Sequence, residues 1–330
     1  MKGLTWVVWR QHRATAWTVL ALTAVAAACL GYWFHDQWAF QHDHGIAGCD
    51  ILLPTCQGVP TSEWEAVPHH VTAKFENAYR DTLVNAGQAL RYVPLLVAAF
   101  IGAPLFARDF ETGAYRVALA QSISPRRWLA AKLAHAVTLT LLATTVLTAL
   151  YGWWWHSTWR DFGSLVWNTP VPMLTAGPAA VAVAVLAAVL GATIGLLVRR
   201  TVPAMAISLA VCGGLIYRAR EVDFLHHLLS PISARTALGS NSDSDVPRYS
   251  RHDGWWYETS SGERLDLGVC PGVDAELTRC LNRHDVVAVL TEYHPASAYW
   301  PIQWIVAGIC LTVAAALVAG CLWWGGRRTA

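Results

Sequence analysis

The sequence predicts an all-α polytopic membrane protein, six transmembrane helices with two large extracytoplasmic loops, and three observations carry that expectation. Of 330 residues, 55% are hydrophobic and only 14% are charged, too little polar surface for a soluble globule of this length. The apolar residues gather in runs of the roughly 20 residues that a helix needs to cross a bilayer, where every backbone hydrogen bond must be satisfied internally. The 18 tryptophans include Trp33, Trp153, Trp154, Trp155, Trp300, Trp304, Trp323 and Trp324 at the ends of those runs, where amphipathic rings prefer to lie.

Taken in order, residues 1–13 are basic and aromatic, compatible with a helix lying along the inner membrane face. Spans follow at 14–34, 86–107, 133–155, 173–198, 202–217 and 299–324. Arg91 stands near the outer end of the second, from where its long stem reaches water. Gly191 and Gly195 in the fourth form a small pair that admits a neighbouring helix closely, either within the chain or across a dimer. Residues 35–85 and 156–172 are external connections, 325–330 a cytoplasmic tail. The loop 218–298 has room for a small lobe, and its opening, EVDFLHHLLSPISA, is amphipathic enough to re-enter the membrane.

Lys/Arg bias in the short loops sets the orientation. With both termini cytoplasmic, the inside segments hold 12 of the 24 basic residues and only Asp109 and Glu111 of the 22 acidic ones. The net charge of +2 therefore hides a basic inside and an acidic outside, and nothing points to nucleic acid. The expected location is the bacterial cytoplasmic membrane. A cleaved signal peptide at VAAAC, ending at Cys29, competes, but the apolar run continues to Phe34.

Cys29, Cys212, Cys310 and Cys321 fall inside spans and read as packing residues. Cys49, Cys56, Cys270 and Cys280 fall in the external loops, where thiols oxidise. Three pairings are open, and the short separations favour Cys49 with Cys56 and Cys270 with Cys280. The external histidines, His35, His42, His44, His69 and His70 among them, match no standard metal spacing, and Asp243, Asp245 and Asp253 lack the EF-hand pattern; no metal site is expected.

Between the second and third spans lies ARDFETGAYRVALAQSISPRRWLAAK. Gly113 offers a bend after the second span, and Ser124 followed by Pro125 makes a helix start. Arg126 and Arg127 at that start oppose the helix dipole, so the inner membrane surface accounts for them better than helix stability does. A polar excursion tied closely to two spans is what a membrane protein needs to receive motion from a soluble partner; an ordinary cytoplasmic loop is the competing reading.

GAPLFARDFETGAYRVALAQSISPRRWLAAKLA, with the opening LTWVVWRQHRATA, resembles the membrane subunits of type-2 ABC exporters, particularly actinobacterial permeases encoded apart from their ATPase. The family's Glu-x-Gly-Thr element is matched by Glu111 and Gly113, with Ala114 where Thr is usual, and its basic turn by Ser122, Ser124, Arg126, Arg127 and Lys132. The resemblance implies a coupling helix within residues 107–121, with Arg108, Asp109, Glu111, Gly113 and Arg116 as the ATPase-coupling residues and Ser124, Pro125, Arg126 and Arg127 as the cytoplasmic turn. It implies ABC ATPase subunits as partners, a second permease copy as homodimer or paralogue heterodimer, contact with membrane lipid, and export of a hydrophobic or amphiphilic cargo. The chain contains no Gly-Lys dipeptide and so no phosphate-binding loop; ATP and Mg would be bound by the partner, and this subunit is non-catalytic with no cofactor of its own. The alternative reading is a membrane protein whose external His/Cys loops bind a metal or an envelope partner without transport.

Overall fold

A computed structural model describes residues 2–44, 74–120, 124–158, 165–221, 228–238, 246–247, 249–271 and 273–328. Among them, six helices are long and apolar enough to cross a membrane: Val8–Asp43, Asn77–Thr112, Pro125–Thr158, Pro178–Val198, Thr201–Arg218 and Ala296–Trp324. They fall on the six expected spans and are mostly longer. The described residues form two units, Met1–Glu221 with Gln303–Ala330, and Val222–Ile302.

In the first unit, α1 (Lys2–Asp43) is a single helix. Residues 2–13 therefore do not form a separate interfacial helix: between Leu4 and Leu30 there is neither Gly nor Pro to break the run. The same continuity carries α1 past residue 34 into the segment expected as loop. The second span, α2 (Asn77–Thr112), contains Pro94 and Pro104 and absorbs them with a π-helical turn at Val97–Gly102, where Ala103 donates to Ala98 across 2.8 Å. Arg91 does not reach outward; it is 3% exposed and donates to Gln88.

A short helix, α3 (Ala114–Ala120), follows α2, then α4 (Pro125–Thr158), α5 (Pro170–Thr175), α6 (Pro178–Val198) and α7 (Thr201–Glu221). The centre of the unit is α2 against α6. A Cβ on Gly102, Gly191 or Gly195 would stand 2.5, 2.2 or 2.2 Å from a backbone carbonyl oxygen of the facing helix, so the Gly191 and Gly195 pair serves packing inside the chain. Polar side chains join the helices elsewhere. Trp154 of α4 donates to Gln37 of α1 at 2.7 Å, and the amide of Gln303 takes the Ala179 N–H at the start of α6 while donating to Met173 O. Trp154 and Trp155 are thus buried and not membrane anchors, while Trp153 remains exposed. In α4, Thr144 and Thr148 donate back to the carbonyls four residues earlier, leaving no polar seam at those hydroxyls.

The second unit, Val222–Ile302, holds an antiparallel sheet of order β1-β4-β2-β3, made of β1 (Ile232–Ala237), β2 (Arg251–Thr259), β3 (Arg264–Asp266) and β4 (Val286–His294). Helix α8 (Asp274–Arg283) packs Leu277 and Leu281 against Tyr257, Leu265, Val286 and Val289. The membrane portion is all helical as expected, and the sheet is an addition that the sequence reading left as an unspecified lobe. Where a re-entrant helix was expected, residues 232–237 are a strand and residues 222–227 lie outside the described residues. Asp253 is committed to Arg251 (3.0 Å) and His294 (2.9 Å), all three in this unit. Asp243 and Asp245 lie outside the described residues. The last helix, α9 (Tyr299–Arg328), returns to the first unit from Gln303 onward.

Candidate coupling site

The end of α2 is built by one backbone decision. Gly113 adopts φ +74°, a left-handed conformation that ends α2 at Thr112 and turns the chain into α3. A side chain there would meet no neighbour, so the requirement is conformational rather than spatial.

Around this turn the side chains divide into those that lock the segment and those that face out. Asp109, 5% exposed, forms an ion pair with Lys132 of α4, which is fully buried. Lys132 also donates to Leu105 O at 3.1 Å and lies 5.2 Å from the Trp128 ring, while Gln11 of α1 donates to the other Asp109 oxygen at 2.8 Å. One carboxylate therefore joins three helices. Glu111 is exposed yet engaged: its carboxylate accepts from the Thr201 N–H (3.0 Å) and hydroxyl (2.6 Å), closing the N-terminus of α7. Beside it, Arg199, in a left-handed conformation at the end of α6, lies over the Phe110 ring at 5.2 Å. Tyr115 of α3 packs on Phe110 at 4.9 Å, and Phe110 meets Trp128 edge-on.

Arg108 and Arg116 are the exposed cations of the group; Arg116 leans on Tyr115. In the turn, helix α4 begins at Pro125 and the Ser124 carbonyl takes the Trp128 N–H at 3.1 Å, with Arg126 and Arg127 exposed beside it. Ser122 lies outside the described residues. Of the expected coupling residues, the structure thus brings Arg108, Asp109, Glu111, Gly113 and Arg116 to one corner. It turns Asp109 inward and spends Glu111 on α7, so the outward surface is left to Arg108 and Arg116.

Sequence reasoning missed Lys132, Gln11 and Thr201 as partners. The signal was available for Lys132 alone: a lone cation and a lone carboxylate at the inner ends of adjacent spans each need a counter-charge if buried.

A family model described as ABC-2 membrane transporter related matches residues 18–221. The chain belongs to that family. It is an ABC-2 type permease, the multi-pass membrane component of an ABC transporter, and membership implies an ABC ATPase as partner. No curated protein and no solved structure matches the chain significantly. The matched residues take in all of α2 through α7, and with them the whole corner around Gly113 except Gln11. In this permease Cys49 and Cys56 lie outside the described residues. The sulfurs of Cys270 and Cys280 stand 2.08 Å apart with Cα atoms 5.6 Å apart, joining the start and the end of the α8 region.

Proposed function

We propose that this permease is the membrane subunit of an ATP-driven exporter, and that residues 107–121 receive the movement of a separate ATPase. The observation that carries the reading is the stiffness of the corner. A partner that pushes on this corner, through Arg108 at the end of α2 or Arg116 of α3, meets a short helix after a single left-handed residue, held by Tyr115 on Phe110. The preceding turn of α2 is fixed to α4 by Asp109 and Lys132 and to α7 by Glu111 and Thr201. Little of the displacement is lost as slack, and it reaches several helices together. ATP binding draws the ATPases together, the helix α3 of each of two permease copies moves with them, and an amphiphilic cargo is released on the far side. Hydrolysis resets the cycle, each step biasing one two-state assembly. Both termini lie in the cytoplasm in this reading, and Cys270 and Cys280 are oxidised outside.

The test is co-purification of ABC ATPase subunits with tagged permease from its native membrane, identified by peptides from their phosphate-binding loops. Arg116→Glu reverses an exposed charge that holds no other helix; it should lose the ATPase while the melting temperature stays unchanged. An ATPase retained equally by Arg116→Glu and by Arg108→Glu would overturn the assignment of α3. A second reading, binding of an envelope partner or a metal by the lobe, has the ligand atoms of Cys270, Cys280 and His284 within 4.8 Å of one another, and for a metal it requires the Cys270–Cys280 disulfide to be reduced first. It becomes the better account only if no ATPase accompanies the wild-type chain.

A further inference from the structure

A cavity of about 280 Å³ opens between α1, α2 and α4 beside the coupling corner. Its walls differ sharply in chemistry. One end carries Arg108, His12 and His135; the other carries Phe100, Ile101 and Leu139. Among the described residues the Arg108 guanidinium makes no hydrogen bond or ion pair; only its backbone carbonyl is engaged, by the Thr112 hydroxyl at 2.9 Å. The Nε2 atoms of both histidines are buried without a hydrogen-bond partner, and the two rings stand 5.8 Å apart, with Trp9 edge-on to His135 at 6.1 Å. Buried ring nitrogens without partners cost stability unless something supplies the missing bonds. Asp109 also lines the cavity, but Lys132 and Gln11 hold its two oxygens and balance its charge. The polar end therefore presents one free guanidinium and two imidazoles. At the apolar end Phe100 is 55% exposed, so the cavity opens onto the apolar outer surface of the helices.

We propose that this cavity binds the head group of an anionic phospholipid, one whose phosphate charge is not balanced by a cation of its own, from the leaflet on the Arg108 side, with the acyl chains leaving over Phe100. Arg108 supplies the charge-assisted contact, and His12 and His135 donate from Nε2 to the phosphate oxygens. The volume lies just under the roughly 300 Å³ at which small-molecule pockets begin, room for a head group and not for a whole lipid. Thr112 and Ala114, which flank the Gly113 turn, also line the cavity, so the occupant touches the base of α3. The inference rests on the membrane reading and stands whether or not an ATPase docks.

The experiment is native mass spectrometry of the full chain in dodecyl maltoside, titrated with palmitoyl-oleoyl phosphatidylglycerol, with phosphatidylcholine of the same chains, and with glycerol phosphate as a soluble anion. Phosphatidylglycerol should be retained about tenfold better than phosphatidylcholine, whose trimethylammonium brings a second cation beside Arg108 and offsets about one charge-assisted contact. Arg108→Ala with His135→Leu should reduce it to the phosphatidylcholine level, whereas Arg116→Ala, outside the cavity, should not. Thr15→Trp, which fills the cavity from α1 without removing a charge, should give the same loss and guards against misfolding of the first variant. Equal retention of the two lipids, or wild-type retention by Thr15→Trp in a folded protein, overturns the proposal. Full displacement by glycerol phosphate also overturns it, by making the occupant a soluble anion.

Discussion

Replacing Asp109 by Asn leaves the ammonium of Lys132 without a counter-charge in a site with no exposure, where the neutral amide oxygen, Leu105 O and the face of Trp128 are what remain. Removing one partner of a buried ion pair costs about 3–5 kcal/mol, because the other charge stays buried without compensation. Lys132→Met leaves Asp109 better provided, since Gln11 still donates at 2.8 Å, and should cost less, about 2–3 kcal/mol. Removing both charges together should return to within about 1 kcal/mol of the wild type, as two neutral groups need no counter-charge. At about 2–4 °C per kcal/mol, Asp109→Asn lowers the melting temperature by about 10 °C. Thermal unfolding in detergent, followed by tryptophan fluorescence, measures all four proteins, with Trp128 beside the pair as a local reporter. The reasoning fails if each single change costs under about 1 kcal/mol, as a solvated surface pair would. It fails equally if the double variant loses the sum of the two.

Gly195→Ala places a Cβ 2.2 Å from the Ala103 carbonyl oxygen, a backbone atom with no rotamer to give, and should lower stability by about 1–3 kcal/mol. Gly308→Ala on α9, where nothing lies within 4 Å, should be neutral or stabilising in the same melting assay, and equal losses from the two would refute the α2 and α6 contact. Non-reducing peptide mapping should recover Cys270 linked to Cys280, with Cys270→Ser destabilising by about 3 kcal/mol; maleimide labelling of both thiols without reductant would refute the bond.

Run lengths and composition located the six spans, because a bilayer imposes one length and one polarity on any helix that crosses it. The turn was equally legible: Gly113 is the one residue near the end of α2 that takes a left-handed conformation without strain, and Ser124 with Pro125 starts a helix from local chemistry alone. Element ends were less so. The merger of residues 2–13 into α1 follows from the absence of any breaker, a local signal that the charge of Arg10 and Arg13 obscured. The β-sheet of the second unit could not be read at all, since pairing β1 with β4 joins residues more than fifty apart in sequence.

What the sequence determined by itself is therefore the class of protein, its spans and the position of the excursion, each fixed by local preference or by the solvent around a single helix. Only the tertiary structure decided which charges of that excursion face outward. Asp109 and Glu111 look alike in sequence, two residues apart beside the same turn. On a helix, positions two apart point in nearly opposite directions, so one carboxylate is carried inward to Lys132 and the other outward to Thr201. Which partner waits on each side depends on helices 23 and 90 residues away, and no local pattern encodes that distance.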